Sequence, residues 1–231
     1  MNKFYFSIII PILNEEKNIE ELTYQIRRYC HKFKYEIIFV DDNSQDKSKK
    51  ILSKLKVKYK NFNFYVRKSD NADLSSSIIL GIGKSKYNFV VVMDGDLQHD
   101  PKYLPKIFKI FKENKLDFLI CVRDFTKRKG LSLIRYFASI LLIKIINMSL
   151  NKRTNDPMSG FFVFRKKLFY KYQDKIYGKG FKFLFDLLYQ KKKFKTQDFK
   201  IVFKKRKNNL SKMNFKVLLN LVSLILTKIF S

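Results

Sequence analysis

The stretch Phe89-Val90-Val91-Val92-Met93-Asp94-Gly95-Asp96-Leu97-Gln98-His99-Asp100-Pro101 decides how the chain is interpreted, because an apolar run passes directly into acidic residues. Five apolar, largely β-branched residues are typical of a buried central strand. Asp94 and Asp96 follow it, and alternate residues of an extended segment point to one side, which Gln98 continues. Two carboxylates and an amide oxygen on one side favour Mg²⁺ or Mn²⁺. The alternative is an acidic turn after a strand, since the D-x-D pattern is short.

Alternating segments on either side of this stretch predict an α/β fold. The expected strands are 4–10, 35–40, 62–66, 89–93 and 118–122, and the expected helices are 15–32, 45–58, 74–84 and 101–114. Repeated β-α units with short connections require a parallel or mostly parallel sheet with right-handed crossovers. In such sheets ligands bind beyond the carboxyl ends of the strands, so the polar residues just after each strand are the candidate site residues.

Composition and charge limit the possible partners. The chain has 231 residues, of which 46% are hydrophobic, which suits one compact unit. Its formal net charge of +29 is uneven: residues 1–120 hold 22 Lys and Arg against 15 Asp and Glu, and residues 121–231 hold 27 against 5. The second half is expected to face a lipid surface, a phosphate-bearing substrate or nucleic acid, with a solvated lysine-rich surface as the alternative. Cys30 and Cys121 show no pairing pattern, so a reducing compartment is expected.

Polar residues follow the first two expected strands, at Asn14-Glu15-Glu16 and at Asp41-Asp42-Asn43-Ser44. Helix N-capping is their purely structural interpretation. No G-x-G-x-x-G follows the first strand, and no G-x-x-x-x-G-K-[ST] occurs. A bound nucleotide would therefore be held by carboxylates, a metal and basic side chains rather than by a glycine-rich loop.

Five ordered motifs together resemble one enzyme family. They are Pro11…Asn14-Glu15, Val40-Asp41-Asp42-Asn43-Ser44, Met93-Asp94-Gly95-Asp96-Leu97-Gln98-His99, Asp156-Pro157-Met158-Ser159-Gly160-Phe161 and Gly180-Phe181-Lys182-Phe183. Their order is similar to that of the family 2 inverting glycosyltransferases of GT-A fold, and within them to the polyprenol-phosphate sugar synthases. The resemblance extends over about residues 4 to 213.

This resemblance implies a fold and a division of the chain. The fold is the GT-A, Rossmann-like three-layer sandwich with a mostly parallel central sheet. Residues 1–213 would form this domain, with a nucleotide-binding half at 1–122 and an acceptor-binding half at 123–213. Residues 214–231 would form an amphipathic C-terminal helix.

The resemblance also implies roles for individual residues. Asp94, Asp96 and Gln98 would hold Mg²⁺ or Mn²⁺ against the diphosphate of a nucleotide sugar, with GDP-mannose and UDP-glucose as the leading donors. The residues implied to bind the nucleotide are Pro11, Asn14, Glu15, Asp41, Asp42 and Ser44. Those implied to bind the acceptor phosphate are Arg123, Arg135, Ser139, Ser211 and Lys212. The implied catalytic residues are Asp94, Asp96, Arg123 and Arg206, and Asp73 stands where the family often has glycine.

The second half contains two amphipathic stretches and a basic one. Leu131 to Leu150 and Lys216 to Phe230 carry polar residues at helical spacing, and each suits an interfacial helix better than a membrane span. Core packing is the alternative for the first stretch, and packing on the domain is the alternative for the second. Phe203 to Lys212 follows the strand-like Ile201-Val202-Phe203 and resembles the family's basic loop, with a solvated charge run as the alternative. We therefore expect peripheral attachment to the cytoplasmic face of a membrane with anionic lipids.

Two enzymatic hypotheses and one non-enzymatic hypothesis follow. A polyprenyl phosphate is anionic at neutral pH and needs no general base, so sugar transfer to it would depend on orientation and charge neutralisation, with inversion at the anomeric carbon. A family 2 transferase acting on a glycan hydroxyl would need a base, for which Asp156 is the candidate. A basic nucleic-acid-binding module is the third possibility; because no nucleic-acid motif occurs, we expect no such partner.

Overall fold

The computed structural model describes residues 5–69, 71–123, 153–180, 183–190 and 193–204, which form a single sheet with helices against both faces. The strands are β1 Tyr5–Ile12, β2 Lys34–Asp41, β3 Phe62–Val66, β4 Phe89–Val92, β5 Phe118–Arg123, β6 Phe162–Arg165 and β7 Thr196–Ile201. The helices are α1 Ile19–Cys30, α2 Ser48–Lys58, α3 Leu74–Lys84, α4 Leu104–Glu113, α5 Lys166–Tyr172 and α6 Phe183–Tyr189, with 3₁₀ turns at Pro101–Tyr103 and Gln173–Lys175.

The sheet is mostly parallel, as the β-α alternation predicts. Its seven described strands lie in the order β3-β2-β1-β4-β6-β5-β7, and only β6 runs antiparallel to its neighbours β4 and β5. β6 therefore enters the sheet at the edge where its parallel neighbours end, with Phe162 beside Val92. This reversal places Gly160 and Phe161 next to the residues that follow β4.

Two apolar cores lie on opposite faces of the sheet because successive side chains of a strand alternate. Ile8 and Ile10 belong to the core that α1 and α4 cover, whereas Ile9 belongs to the core that α3 and α6 cover. α4 contributes Leu104, Ile107, Phe108 and Phe111 at three- and four-residue spacing. Strands buried on both faces read as continuous apolar runs, which is why they could be located in the sequence.

Several boundaries differ from those expected. α1 begins at Ile19 rather than near residue 15, because residues 16–18 form a separate turn in which the Asn18 N–H donates to Glu15 O at 2.9 Å. The strand expected over Ile201-Val202-Phe203 is confirmed at Ile201 and wrong beyond it, since β7 ends at Ile201 and the Phe203 ring packs against His99.

Membrane-related expectations concern other parts of the chain. Within the described residues, none of the helices combines the length and the apolar character needed to cross a bilayer. The amphipathic stretches 131–150 and 216–230 lie outside the described residues.

Candidate active site

The acidic residues after β4 form a compact loop. β4 ends at Val92 and the chain bends at residues 95–97, where Leu97 has φ +63, so the extended geometry expected from the D-x-D spacing is wrong. Asp96 is buried and accepts a hydrogen bond from the Gln98 N–H at 3.0 Å, whereas the Asp94 side chain is 37% exposed. Asp94 thus presents its carboxylate at the carboxyl edge of the sheet.

His99 supports this loop from within. The Asp94 N–H donates to His99 Nδ1 at 3.1 Å, and because a backbone N–H can only donate, Nδ1 acts as the acceptor. The 3.7 Å separation between His99 Nδ1 and Asp94 Oδ2 is therefore not an ion pair in this arrangement. The buried imidazole fixes the backbone of Asp94 rather than neutralising its side chain.

Two glycines give the loop its close packing. A Cβ on Gly160 would lie 2.4 Å and 2.6 Å from the two carboxylate oxygens of Asp94. A Cβ on Gly95 would lie 2.5 Å from Ile12 Cγ2, so Gly95 allows the loop to approach β1. The glycine of Asp156-Pro157-Met158-Ser159-Gly160 is thus required by the position of Asp94.

Gly160→Ala tests this packing. The added methyl must displace the Asp94 carboxylate, and we expect kcat to fall by ten-fold or more, about the cost of misplacing a reacting group by an ångström. The matched control is Gly83→Ala, since a Cβ there meets nothing within 4 Å. Steady-state activity assays and thermal melts should show loss of activity in the first variant alone. Wild-type rates in Gly160→Ala would contradict a role for the Asp94 position.

The oxygen ligands at this edge fit a hard divalent cation. Among the described residues no group of three or more His, Cys, Asp and Glu side chains is arranged around a common point, so carboxylates alone do not complete a site. Gln98 Nε2 donates to Lys204 O at 3.3 Å, and this bond does not use the amide oxygen that a metal would bind. Mg²⁺ and Mn²⁺ commonly combine one or two carboxylates with substrate phosphate oxygens, and Asp94 and Asp96 suit that pattern.

A narrow cleft opens beside Asp94 between α3 and α6. Two polar residues, Asp94 and Ser159, line this cleft. The rest of its lining is mostly apolar and consists of Leu74, Ile78, Val92, Met158, Gly160, Phe162, Phe183 and Leu184. The exposed carboxylate of Asp94 therefore lies beside the apolar walls of the cleft.

The polar residues after β1 and β2 are hydrogen-bonded to each other. The Asn14 N–H donates to Ser44 Oγ at 2.8 Å, and Asn14 Oδ1 accepts from the Gln45 N–H at 2.8 Å. The Glu15 N–H donates to Ser48 Oγ at 3.2 Å. These bonds join the two loops into one surface beyond the strand ends.

The helix-cap interpretation of these residues is wrong. The cap positions of α1 and α2 are Asn18 and Lys47, and neither side chain makes a capping hydrogen bond. Glu15 is buried and its Oε2 accepts from Asn18 Nδ2 at 2.6 Å. The polar groups after β1 and β2 thus serve the surface between the loops.

Asp41 carries an unsatisfied oxygen beneath this surface. Its Oδ1 accepts hydrogen bonds from the N–H and the hydroxyl of Ser44, while its buried Oδ2 has no hydrogen-bond partner among the described residues. A buried acceptor without a donor is costly, about 1–3 kcal/mol. A ligand N–H group, such as that of a nucleotide base, would satisfy it. Pro11, also expected here, lies in β1 beside Val40.

Asp42 and Asp73 connect this surface to the next loop. Both carboxylate oxygens of Asp42 are engaged by protein groups, Oδ1 by Arg67 Nε and Oδ2 by the Asp73 N–H, each at 2.5 Å. Asp42 therefore positions Arg67 and the start of α3. Asp73 caps α3 by accepting from the Ser76 N–H at 2.7 Å, and it also accepts from the Gly180 N–H.

Gly180 is held on its other side as well. The N–H and the hydroxyl of Ser75 donate to Gly180 O at 2.9 Å and 2.7 Å, and Gly180 has φ +79. The sequence did not identify Asp73 as a site residue, although an Asp before Leu-Ser-Ser is a recognisable N-cap signal. Asp73 and Ser75 together fix the start of the Gly180-Phe181-Lys182-Phe183 motif beside the cleft.

Asp156 and Arg123 meet at the end of β5. Burial raises the pKa of Asp156 to about 6; the Arg123 guanidinium and the N–H groups of Met158 and Arg123 oppose this rise, and Asp198 reinforces it. Asp198 also accepts hydrogen bonds from Thr154 Oγ1 at 2.6 Å and from the Asn155 N–H at 2.8 Å. Asp198, which the sequence did not single out, thus holds the turn that leads into Asp156.

The raised pKa of Asp156 predicts a pH-dependent stability. Its ordinary value is 3.8, so the folded state binds more protons than the unfolded state between about pH 4 and 6, and the free energy of unfolding falls as pH rises through that window. Asp156→Asn should remove this fall and raise stability at pH 7.5 by up to about 3 kcal/mol. Denaturant unfolding at pH 4 and 7.5 measures it, with exposed Asp174→Asn as the control. An unchanged pH dependence in Asp156→Asn would contradict the shift.

The remaining expected site residues are only partly described. Arg123 is exposed at the carboxyl edge, at the end of β5. Five expected site residues lie outside the described residues: Arg135, Ser139, Arg206, Ser211 and Lys212.

Comparisons with known proteins show which family of proteins this chain is similar to. The sequence matches the model described as Glycosyl transferase family 2 over residues 7–173. It is 33% identical over 220 residues to a dolichol-phosphate mannosyltransferase of Pyrococcus furiosus, covering 92% of this chain and 60% of that protein. It is 32% identical over 189 residues to the dolichol-phosphate mannosyltransferase of Saccharomyces cerevisiae, covering 79% of this chain and 69% of that protein. The chain therefore spans about 60% of the length of the Pyrococcus relative.

Solved structures agree on the fold. The glucosyl-3-phosphoglycerate synthase of Mycobacterium tuberculosis, in complex with Mn²⁺, uridine diphosphate and glucosyl-3-phosphoglycerate, superposes with a TM-score of 0.68 at 15% identity, covering 97% of this chain and 78% of that one. The expected GT-A fold is thereby confirmed. Because the family match over residues 7–173 covers most of the sheet and the motif-bearing loops after β1, β2 and β4, the chain belongs to the glycosyl transferase family 2.

Proposed function

We propose that this protein transfers a sugar from a nucleoside-diphosphate sugar to a polyprenyl phosphate. The observation that carries the proposal is that three kinds of group lie at the carboxyl edge of one sheet: the Asp41 oxygen without a partner among the described residues, the Asp94 and Asp96 carboxylates, and the exposed Arg123. Asp41 suits a nucleotide base, Asp94 and Asp96 suit a metal-bound diphosphate, and Arg123 suits an anionic acceptor. The similarity to two dolichol-phosphate mannosyltransferases supports the lipid acceptor.

Each group has a chemical task in this reaction. Asp41 would orient the nucleotide through the base, and Asp94, Asp96 and Gln98 would hold Mg²⁺ or Mn²⁺. When bound, that ion supplies positive charge opposite the leaving nucleoside diphosphate. Arg123 lowers the repulsion between the acceptor phosphate and the donor diphosphate, so that the phosphate can approach the anomeric carbon from the opposite side and invert it.

The finer parts of the proposal concern the substrates and the cellular site. Mannose or glucose is the proposed sugar, carried by GDP or UDP. The acceptor phosphate would be bound by Arg123 together with Arg135, Ser139, Ser211 and Lys212, with Arg206 also acting in catalysis. The strongly basic second half supports peripheral binding to anionic lipids at a cytoplasmic membrane face.

A glycan hydroxyl is the second candidate acceptor, and Asp156 favours it. A carboxyl whose pKa is raised to about 6 is nearer to the operating pH of a general base than an ordinary Asp. Such a base is needed by a hydroxyl and not by a phosphate. The two functions therefore predict different roles for Asp156.

One assay separates the candidates. The protein is incubated with Mn²⁺, a panel of radiolabelled nucleotide sugars, and either short polyprenyl phosphates or free oligosaccharides. Label that passes into the organic phase only when polyprenyl phosphate is present supports the proposal. Faster labelling of an oligosaccharide than of any polyprenyl phosphate would overturn it.

A further inference from the structure

Phe203 lies between two parts of the candidate active site that come from distant parts of the sequence. Its ring meets the His99 imidazole edge to face, with centroids 4.9 Å apart and planes at 88°. The Arg123 guanidinium carbon lies 4.4 Å from the centroid of the same ring. One phenyl ring thus contacts both the loop that carries Asp94 and Asp96 and the cation at the end of β5.

The residue after Phe203 is bound to the same loop at three points. The Lys204 N–H donates to Gln98 O at 3.0 Å, and Gln98 Nε2 donates to Lys204 O at 3.3 Å. Lys204 Nζ lies 2.9 Å from Asp100 Oδ2, and the Asp100 side chain is only 5% exposed. The backbone on the carboxyl side of Phe203 is therefore fixed, and the ring has little freedom to leave its place.

Arg123 needs such support because its side chain is exposed. An unsupported arginine on a surface samples many rotamers, and ordering it when a phosphate binds costs conformational entropy. An aromatic face attracts a guanidinium electrostatically and by stacking, and thereby limits those rotamers before the ligand arrives. A leucine would fill a similar volume without that attraction.

We propose that Phe203 is a positioning residue: its ring orders the Arg123 guanidinium against the His99 side of the acidic loop, and so sets where the acceptor anion meets the metal-binding carboxylates. This inference rests on the proposed function in one respect, namely that Arg123 receives the acceptor phosphate. The proposal assigns Phe203 no direct contact with either substrate.

The test uses three variants of the full chain. Phe203→Leu removes the ring and keeps an apolar side chain, and Phe203→Tyr keeps the ring. The matched control is Phe199→Leu, because Phe199 is another partly buried phenylalanine of the same segment and pairs with Tyr103 at 6.0 Å, not with Arg123. Thermal melts establish that all three variants fold.

The first readout does not depend on sugar transfer. Modification of Arg123 by phenylglyoxal, followed by peptide mass mapping, reports directly how well the ring covers the guanidinium. Loss of one cation–π contact corresponds to about a three- to ten-fold change. We expect modification of Arg123 to quicken by about that factor in Phe203→Leu, and to stay at the wild-type rate in Phe203→Tyr and Phe199→Leu.

The second readout is kinetic. With a short polyprenyl phosphate as acceptor, Phe203→Leu should raise the acceptor KM by about five-fold, leave the nucleotide-sugar KM near wild type, and be rescued in Phe203→Tyr. Wild-type Arg123 modification in Phe203→Leu, or equal effects of Phe203→Leu and Phe199→Leu, would overturn the inference. If the wild type labels no polyprenyl phosphate, the proposed function fails, while the phenylglyoxal result still decides whether Phe203 orders Arg123.

Discussion

Asp96→Asn is expected to abolish sugar transfer while leaving the fold intact. Asparagine is isosteric and keeps an oxygen that can accept the Gln98 N–H, so the loop should retain its hydrogen bond. It removes the negative charge that a divalent cation requires, and a neutral amide is a much weaker ligand. Transfer rates measured with added Mn²⁺, beside thermal melts of the same samples, test both parts of the expectation.

Asp117→Asn is the matched control for this variant. Asp117 precedes β5 at the opposite edge of the sheet, where it pairs with Arg165 at 3.7 Å and accepts from the Lys195 N–H at 3.1 Å. Its replacement should lower stability modestly and leave the transfer rate unchanged. Activity of Asp96→Asn above about a tenth of the wild-type rate, in chelator-treated buffer with Mn²⁺ restored, would refute the metal assignment, since loss of a charged ligand should cost more than the roughly 1.4 kcal/mol that a tenth represents.

Arg123→Lys is expected to raise the KM for polyprenyl phosphate by about ten-fold or more. A guanidinium presents a fork of donors to a phosphate, whereas an ammonium cannot make the paired hydrogen bonds. The loss of one charge-assisted hydrogen bond, roughly 1.5–3 kcal/mol, corresponds to about ten- to a hundred-fold. The nucleotide-sugar KM should barely change, because Asp41, the proposed contact to the nucleotide base, lies at the end of β2 and not on β5.

Arg165→Lys separates this effect from a general loss of an arginine. Arg165 is the last residue of β6. Its guanidinium carbon lies 5.6 Å and 5.9 Å from the ring centroids of Phe89 and Phe111, and its Nε donates to Leu116 O at 2.8 Å. Its replacement should lower the melting temperature without changing either KM. An Arg123→Lys variant that keeps its acceptor KM and loses affinity for the nucleotide sugar would place Arg123 on the donor side and contradict its proposed role.

Much of the fold could be predicted from local sequence. The expected strand 62–66 and the expected helix 74–84 have the observed bounds, because short β-branched and aromatic runs alternate with helical spacing. The order of the polar motifs after β1, β2 and β4 then led to the family that the comparison confirms. The local sequence pattern was sufficient here because the spacing of apolar residues within each element already predicts which of its side chains are buried.

Other features depended on partners distant in the sequence. The antiparallel direction of β6 follows from its pairing with β4 and β5, which a short apolar run cannot encode by itself. The Asp94 to Asp100 loop is bent rather than extended, and it packs against Gly160 and Lys204, which are both distant in the sequence. The same holds for Asp73 with Gly180 and for Phe203 with Arg123.

The amino-acid sequence by itself therefore determined the α/β class, the mostly parallel sheet and the chemical kinds of group at its carboxyl edge. Only the tertiary structure decided which oxygens the protein uses internally, as with Asp42, and which have no partner within the described part of the chain, as with Asp41 Oδ2. The physical reason is range: propensity and periodicity act over a few neighbouring residues, whereas burial, pKa and hydrogen-bond satisfaction depend on whatever the fold brings alongside.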